Sequence, residues 1–187
     1  VKLDPESADM HFALGNLFRR RGEIERAIRV HQNLLARPDL PGEQKAHAQY
    51  ELGMDYLKAG LLDRAEETFN LLVDTPFEVQ ARRALLEIYQ REKEWRRAID
   101  VAVGLQESGA GARQKEIAQF YCELAQDALV HLQPSDAMGL LDKALAADRS
   151  SVRATILIGD AQLAQGDTEA ALVTWRRVEH LSLIHIS

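Results

Sequence analysis

Cysteine is almost missing from these 187 residues, Cys122 being the sole one. A single thiol excludes an internal disulfide and any metal site built on several cysteines within this stretch, and it suits a reducing compartment. Aromatics are few, at 6%, and β-branched runs of strand length are nearly absent, so a sheet has little to build on. No stretch approaches the roughly 20 apolar residues that cross a bilayer. The start, Val-Lys-Leu-Asp-Pro, is neither a signal peptide nor an initiator methionine. Positive charge is in deficit, with 23 Lys and Arg against 29 Asp and Glu and a net charge of −6. That balance argues against nucleic acid as the main partner, because phosphate binding calls for a concentrated basic surface. What abounds is Ala, Leu, Glu, Arg and Gln, all good helix formers. The expectation is an all-helical chain.

Repetition is the main signal. Five segments align on a pair of neighbouring residues: Leu14-Gly15, Leu52-Gly53, Leu85-Leu86, Leu124-Ala125 and Ile158-Gly159. An alanine follows 13 residues after the first member of each pair, as Ala27, Ala65, Ala98, Ala137 and Ala171. Eight residues after it, three segments carry glycine: Gly22, Gly60 and Gly166. Four residues beyond each alanine stands His31, Phe69, Ala102, Leu141 or Trp175. The pairs start 38, 33, 39 and 34 residues apart, which matches the period of about 34 residues of tetratricopeptide (TPR) repeats with short insertions at two junctions. Such a unit is two antiparallel helices joined by a tight turn, where glycine supplies a conformation other residues resist. Small residues of the Gly15 and Ala27 type let the two helices approach closely. Large residues of the Leu14, Phe18 and Leu34 type are expected to fill the gap to the next unit. No unit buries its apolar face alone, so stability comes from stacking. The fold expected is an all-α TPR α-solenoid of about five helix-turn-helix repeats, wound as a right-handed superhelix.

The units run over residues 8–41, 42–76, 77–111, 112–150 and 151–180. Their helix pairs are expected at 8–20 and 24–36, 43–58 and 62–73, 77–91 and 95–107, 112–131 and 135–147, and 151–164 and 168–180. Pro134 with Ser135 and Asp136 reads as a helix start. Pro38, Pro41 and Pro76 fall between units. The fourth unit fits least well, with Ala128 and Leu132 where an aromatic and a glycine are usual. Residues 1–7 read as the end of a preceding repeat, Leu3-Asp4-Pro5 being in phase with it. Residues 181–187, Leu-Ser-Leu-Ile-His-Ile-Ser, break the pattern and back-translate to a common sequencing-adapter sequence. They are expected to be a non-native tail, and His185 is set aside with them.

Catalytic and metal chemistry is not announced. His11, His31, His47, His131 and His180 form no helical ligand pair in a recognised spacing, and His31, at a position usually apolar, reads as a structural histidine. Gly109–Lys115 superficially suggests a phosphate loop, but it lacks the Gly-Lys-Ser/Thr ending and no strand precedes it; it reads as a linker. Cys122 has no histidine or basic neighbour nearby in sequence to make a thiolate, so a packed thiol is expected. No catalytic, cofactor-binding or metal-binding residue is assigned.

In a TPR stack the first helix of each unit lines an inner groove. Counting from the aligned pairs places Phe12, Asn16, Arg19 and Arg20 there from the first unit, and Tyr50, Glu51, Met54 and Lys58 from the second. Arg83, Glu87 and Arg91 follow from the third, then Cys122 and Glu123 from the fourth and Arg153 and Asp160 from the fifth. These are the candidate partner-binding residues, although a solvated helix face carries a similar mixture of charges. The clamp by which chaperone-binding TPRs grip a terminal carboxylate is not reproduced. Its positions hold Phe12, Asn16, Glu51, Gln80 and Ala84, where only the asparagine matches and Glu51 would repel a carboxylate.

Longer strings narrow the reading. Leu14-Gly15-Asn16-Leu17-Phe18-Arg19, Arg21-Gly22-Glu23 and Arg26-Ala27-Ile28-Arg29 resemble the lipopolysaccharide assembly protein B (LapB, or YciM) family. So do Asp55-Tyr56, Ala59-Gly60-Leu61, Asp63-Arg64-Ala65-Glu66 and Phe69-Asn70. Trp95, Ala98-Ile99-Asp100-Val101-Ala102, Glu116-Ile117-Ala118 and Phe120-Tyr121-Cys122-Glu123-Leu124-Ala125 follow in the same order. The resemblance runs over residues 3–180 and implies a fragment of a longer protein, truncated at both ends. It implies repeats at the cytoplasmic face of the bacterial inner membrane, tethered by an N-terminal helix, and a rubredoxin-like metal domain lying outside this stretch. It also implies an adaptor, not an enzyme, that regulates lipid A synthesis by promoting degradation of the deacetylase LpxC by the protease FtsH. The partners so implied are LpxC, FtsH and other lipopolysaccharide-assembly components, with no cofactor and no membrane contact in the fragment itself. The alternatives are a generic bacterial TPR scaffold or a co-chaperone of another assembly pathway. A helical-repeat enzyme would need polar residues converging in one pocket.

Overall fold

A computed structural model describes the backbone of residues 5–184 and the side chains of residues 7–178. Residues 1–4 and 185–187 lie outside the described residues, and with them most of the proposed end of a preceding repeat and the last part of the proposed tail. The described chain is ten helices and no strand. They are α1 (Pro5–Arg20), α2 (Ile24–Leu35), α3 (Gly42–Lys58), α4 (Leu62–Asn70), α5 (Glu78–Arg91), α6 (Trp95–Glu107), α7 (Gln114–Val130), α8 (Pro134–Ala147), α9 (Val152–Ala164) and α10 (Thr168–Ile184). Two compact units divide between Glu92 and Lys93. The first holds α1 to α5 and the second α6 to α10.

In the first unit α1 packs on α2 and α3 on α4, while α1, α3 and α5 lie side by side. In the second, α7 packs on α8 and α9 on α10, with α7 against α9. The reason the paired helices come so close is visible at the residue after each Leu or Ile of the alignment. A Cβ on Gly15 would stand 2.4 Å from the His31 ring, one on Gly53 2.6 Å from Phe69, and one on Gly159 2.0 Å from Trp175. Each large side chain of the second helix thus occupies the room a side chain on the first would need. In the fourth repeat the sizes are shared, Ala125 and Leu141 both lying fully buried in one core cluster. The recurring alanines, Ala27, Ala65, Ala98, Ala137 and Ala171, have no exposure.

The turn inside each repeat uses one conformation five times. Gly22, Gly60 and Gly166 have φ of 80°, 75° and 86°. At the same alignment position, Lys93 and Leu132 both have φ of 58°. The left-handed turn is therefore required by the geometry of the repeat and is kept where the residue is unsuited to it.

Most helix limits fall within two residues of those expected, and the exceptions have local causes. α1 begins three residues early because Pro5 sits at the first helical position, where its missing N–H costs nothing. α4 stops at Asn70 rather than 73: Leu71 and Leu72 donate to the carbonyls three residues back, Asp74 turns left-handed with φ of 60°, and Thr75 Oγ donates to Leu72 O at 2.7 Å. α10 continues beyond 180 to Ile184, so its backbone runs helically into the first residues of the proposed tail. Leu34 fills the core as expected, and Phe18 is half-buried under the Arg26 guanidinium at 4.0 Å. Leu14 does not fill a gap. It is 42% exposed, in line with Met10 and Leu17, whereas its counterparts Leu52 and Leu85 are buried. The same repeat position is buried only where another helix covers it, and no described helix precedes α1.

Two substitutions test this account. Leu132→Gly removes a side chain that is 87% exposed and relieves a left-handed residue, so stability should rise by about 1 kcal/mol, read as a higher urea midpoint. Gly53→Ala should lower the midpoint, although Gly→Ala at an open helix position gains about 1 kcal/mol. The new methyl meets the buried Phe69 ring, and overpacking costs about 1–3 kcal/mol.

Candidate functional site

All the basic last turns among helices α1 to α10 belong to α1, α3 and α5: Arg19 and Arg20, Lys58, and Arg91. These three helices are neighbours, and their last turns meet. Arg19, Arg20, Met54, Leu57, Lys58, Glu87 and Arg91 line one groove of about 490 Å³. Cations at helix C-termini complement the exposed carbonyls there. The first helices α7 and α9 of the second unit manage without any, so that role alone does not account for the concentration. In a chain of net charge −6, four cations and one carboxylate around one groove make a local reversal of sign.

Arg19 anchors the groove wall through a buried ion network. Its guanidinium donates to Asp55 Oδ1 at 2.8 Å, to Glu51 Oε2 at 2.5 Å, to the Glu51 carbonyl at 3.1 Å and to Asn16 Oδ1 at 2.7 Å. The other Asp55 oxygen lies 2.5 Å from Nδ1 of His31, and both side chains have no exposure. A carboxylate oxygen accepts, so Nδ1 carries the proton; Nε2 is left without a partner above Gly15. Burial opposes the Arg19 charge, but Glu51 and Asp55 more than offset this and raise its pKa. Burial also penalises the Glu51 carboxylate; hydrogen bonds from His47 and Arg19 and the charges of Arg19 and His31 outweigh it and hold its pKa at about 2.

The expected groove residues separate into three groups. Arg20, Met54, Lys58, Glu87 and Arg91 come together with Arg19 in the groove. Phe12 and Glu51 do not belong to its surface: Phe12 is 6% exposed and stacks on His47 at 4.0 Å, and Glu51 is 8% exposed, spent on Arg19. Counting along a helix identified their face but not the aromatic run that closes over it, in which His47 also stacks on Phe77 and Tyr50 on Phe77. Tyr50 is half-buried there, its hydroxyl pKa raised by burial and by the Glu51 charge. Asn16 serves Arg19, and Arg83 is exposed but does not line the groove.

In the second unit, Arg153 of α9 donates to Glu123 at 2.6 Å and to Gln126 at 2.7 Å, tying α9 to α7. Asp160 is half-buried, and burial pushes its carboxyl pKa up. Cys122, expected on the groove face, instead has no exposure because it packs into the core between α7, α8 and α9; burial raises its thiol pKa against Arg153 and Ser151. It is a packed, protonated thiol.

Leu57, part of the groove lining, escaped the sequence reading because it is buried and lies one position outside the counted face. Asp55 escaped it too; an acid beside a tyrosine on a helix gives no sign that it will be wholly buried. No group of three His, Cys, Asp or Glu among the described residues is placed to hold a metal. With one cysteine, the chain does not fit a site of paired cysteines such as the resemblance assigns to its family. No helix among the described residues is long and apolar enough to cross a membrane.

Comparison with known proteins agrees with this architecture. Residues 11–45 and 122–178 match tetratricopeptide repeat models. The chain is 46% identical over 182 residues to lipopolysaccharide assembly protein B of Escherichia coli strain K12, covering 95% of this chain and 46% of that protein. The protein of the same name from Haemophilus influenzae is 39% identical over 168 residues, covering 88% of this chain and 41% of its own length. The chain therefore spans about half the length of the curated relatives it matches. Among solved structures, a crystal structure of MamA is 21% identical with a TM-score of 0.56, covering 95% of this chain and 93% of that one. MamA from Desulfovibrio magneticus RS-1 is 18% identical with a TM-score of 0.52, covering 100% of both chains. At these identities the likeness is one of fold.

The depressed Glu51 pKa sets an acid sensitivity. The unfolded carboxyl takes up its proton near 4.5 and the folded one near 2, so between those values the unfolded state binds more protons. The contribution of Glu51, about 3 kcal/mol, is complete above pH 4.5 and is lost as pH falls toward 2. Urea midpoints measured from pH 7 to pH 2 should fall less steeply below 4.5 for Glu51→Gln than for the native chain.

Proposed function

Because the chain belongs to the lipopolysaccharide assembly protein B family of tetratricopeptide-repeat proteins, we propose that it is the client-holding part of an adaptor that presents the deacetylase LpxC to the protease FtsH. On this reading the encounter occurs at the cytoplasmic face of the bacterial inner membrane, and the outcome is control of lipid A synthesis. An adaptor performs no bond chemistry. It holds two proteins together, and the effective concentration so created turns weak contacts into productive ones.

The observation that carries the reading is the groove over α1, α3 and α5, which exposed Arg20, Lys58 and Arg91 line together with Met54 and Leu57. Its mixture of charge and apolar surface is that of a protein-binding surface. A co-chaperone role through a carboxylate clamp is disfavoured, since Phe12 and Glu51 at two of the clamp positions are buried.

The test is titration calorimetry of the purified chain with purified LpxC, followed by mass analysis of the mixture. Saturable binding with LpxC left intact is expected. No binding of LpxC overturns the assignment of the client, and cleavage or modification of LpxC by the chain alone overturns the scaffold reading.

A further inference from the structure

The groove distinguishes cations that are spent from cations that are free. Arg19 is committed to Asp55 and Glu51. Arg91 is bridged to Glu87 at 2.5 Å, but both side chains are about half exposed, at 49% and 51%. A pair so exposed is worth little and can be exchanged for another carboxylate. The side chains of Arg20 and Lys58 are exposed and meet no acidic partner among the described residues. The lining also holds Met54, half-buried, and Leu57, buried. Methionine adapts its shape to varied apolar partners.

We propose that this groove receives an extended acidic peptide segment of a partner protein, with carboxylates on Arg20 and Lys58 and an apolar side chain on Met54 and Leu57. The proposal rests on the protein-holding reading but not on which client is held. A nucleic acid fits less well, because the groove lining contains no aromatic on which a base could stack. An anionic membrane fits less well, because it needs cations on an outward face, and the chain as a whole carries −6. A peptide enters a groove, and its acidic side chains find the two unmatched cations.

The probe is a short fluorescein-labelled peptide of glutamates around a central leucine, followed by fluorescence polarisation. The same peptide with lysines in place of the glutamates is the charge control. Arg20→Glu and Lys58→Glu alter exposed side chains, and circular dichroism should show unchanged helix content. Together they are expected to weaken binding about tenfold or more, and raised salt should weaken binding to the native chain. Arg149→Glu, an exposed change of the same charge in the other unit, should alter affinity less than about twofold. Met54→Ala should weaken binding without changing its salt dependence. Equal binding of the lysine peptide, or indifference to the double reversal, overturns the proposal. So does stronger capture by phosphatidylglycerol vesicles that the double reversal abolishes, which would make the groove a lipid site. If LpxC binds the native and doubly reversed chains alike, this inference fails while the client assignment stands. If the glutamate peptide binds through these residues and LpxC does not bind, the reverse holds.

Discussion

Asp55 carries a charge into a place with no solvent, and two other helices make that tolerable. Arg19 of α1 approaches one oxygen and His31 of α2 the other, at 2.8 and 2.5 Å. Removing one member of a buried pair typically costs about 3–5 kcal/mol, because the remaining charge has no water to turn to. The carboxylate therefore specifies how α1, α2 and α3 sit together more sharply than apolar contact could, since a hydrogen bond has a direction. Arg19, held from behind, becomes part of the groove wall. Its neighbour Arg20, on the adjacent position of the same turn, is left facing outward.

The apolar packing complements this with a constraint of size. Gly15, Gly53 and Gly159 leave room for His31, Phe69 and Trp175, and the left-handed turn at Gly22, Gly60, Leu132 and Gly166 sets the second helix back along the first. His31 belongs to both schemes. Its ring fills the space above Gly15 as Phe69 does above Gly53, and its Nδ1 also closes the Asp55 network. One histidine in a position usually apolar thus converts a packing contact into an electrostatic junction.

The function proposed follows from what this junction leaves over. The buried acids of α3 are consumed internally with Arg19, while Arg20, Lys58 and Arg91 at the ends of α1, α3 and α5 remain at the surface. In a chain of net charge −6, one groove is lined by four cations and one carboxylate. A scaffold needs little more than this: a rigid wall, a local charge opposite to that of its guest, and an apolar floor.

Repetition made the helices legible before any coordinates. The period, the recurring alanine and the turn glycines placed ten helices with small errors, because those features are local and each repeat restates them. The left-handed turn at Leu132 could be anticipated from alignment with Gly22, since the backbone path is common to all repeats. The aromatic run from Phe12 through His47 to Phe77 could not, and neither could the burial of Asp55 or the place of Leu57 beneath the groove. Those depend on three helices arriving together from distant parts of the chain. A residue's helix and approximate face follow from its neighbours in sequence, but whether a charge is spent or free depends on what stands opposite it in space.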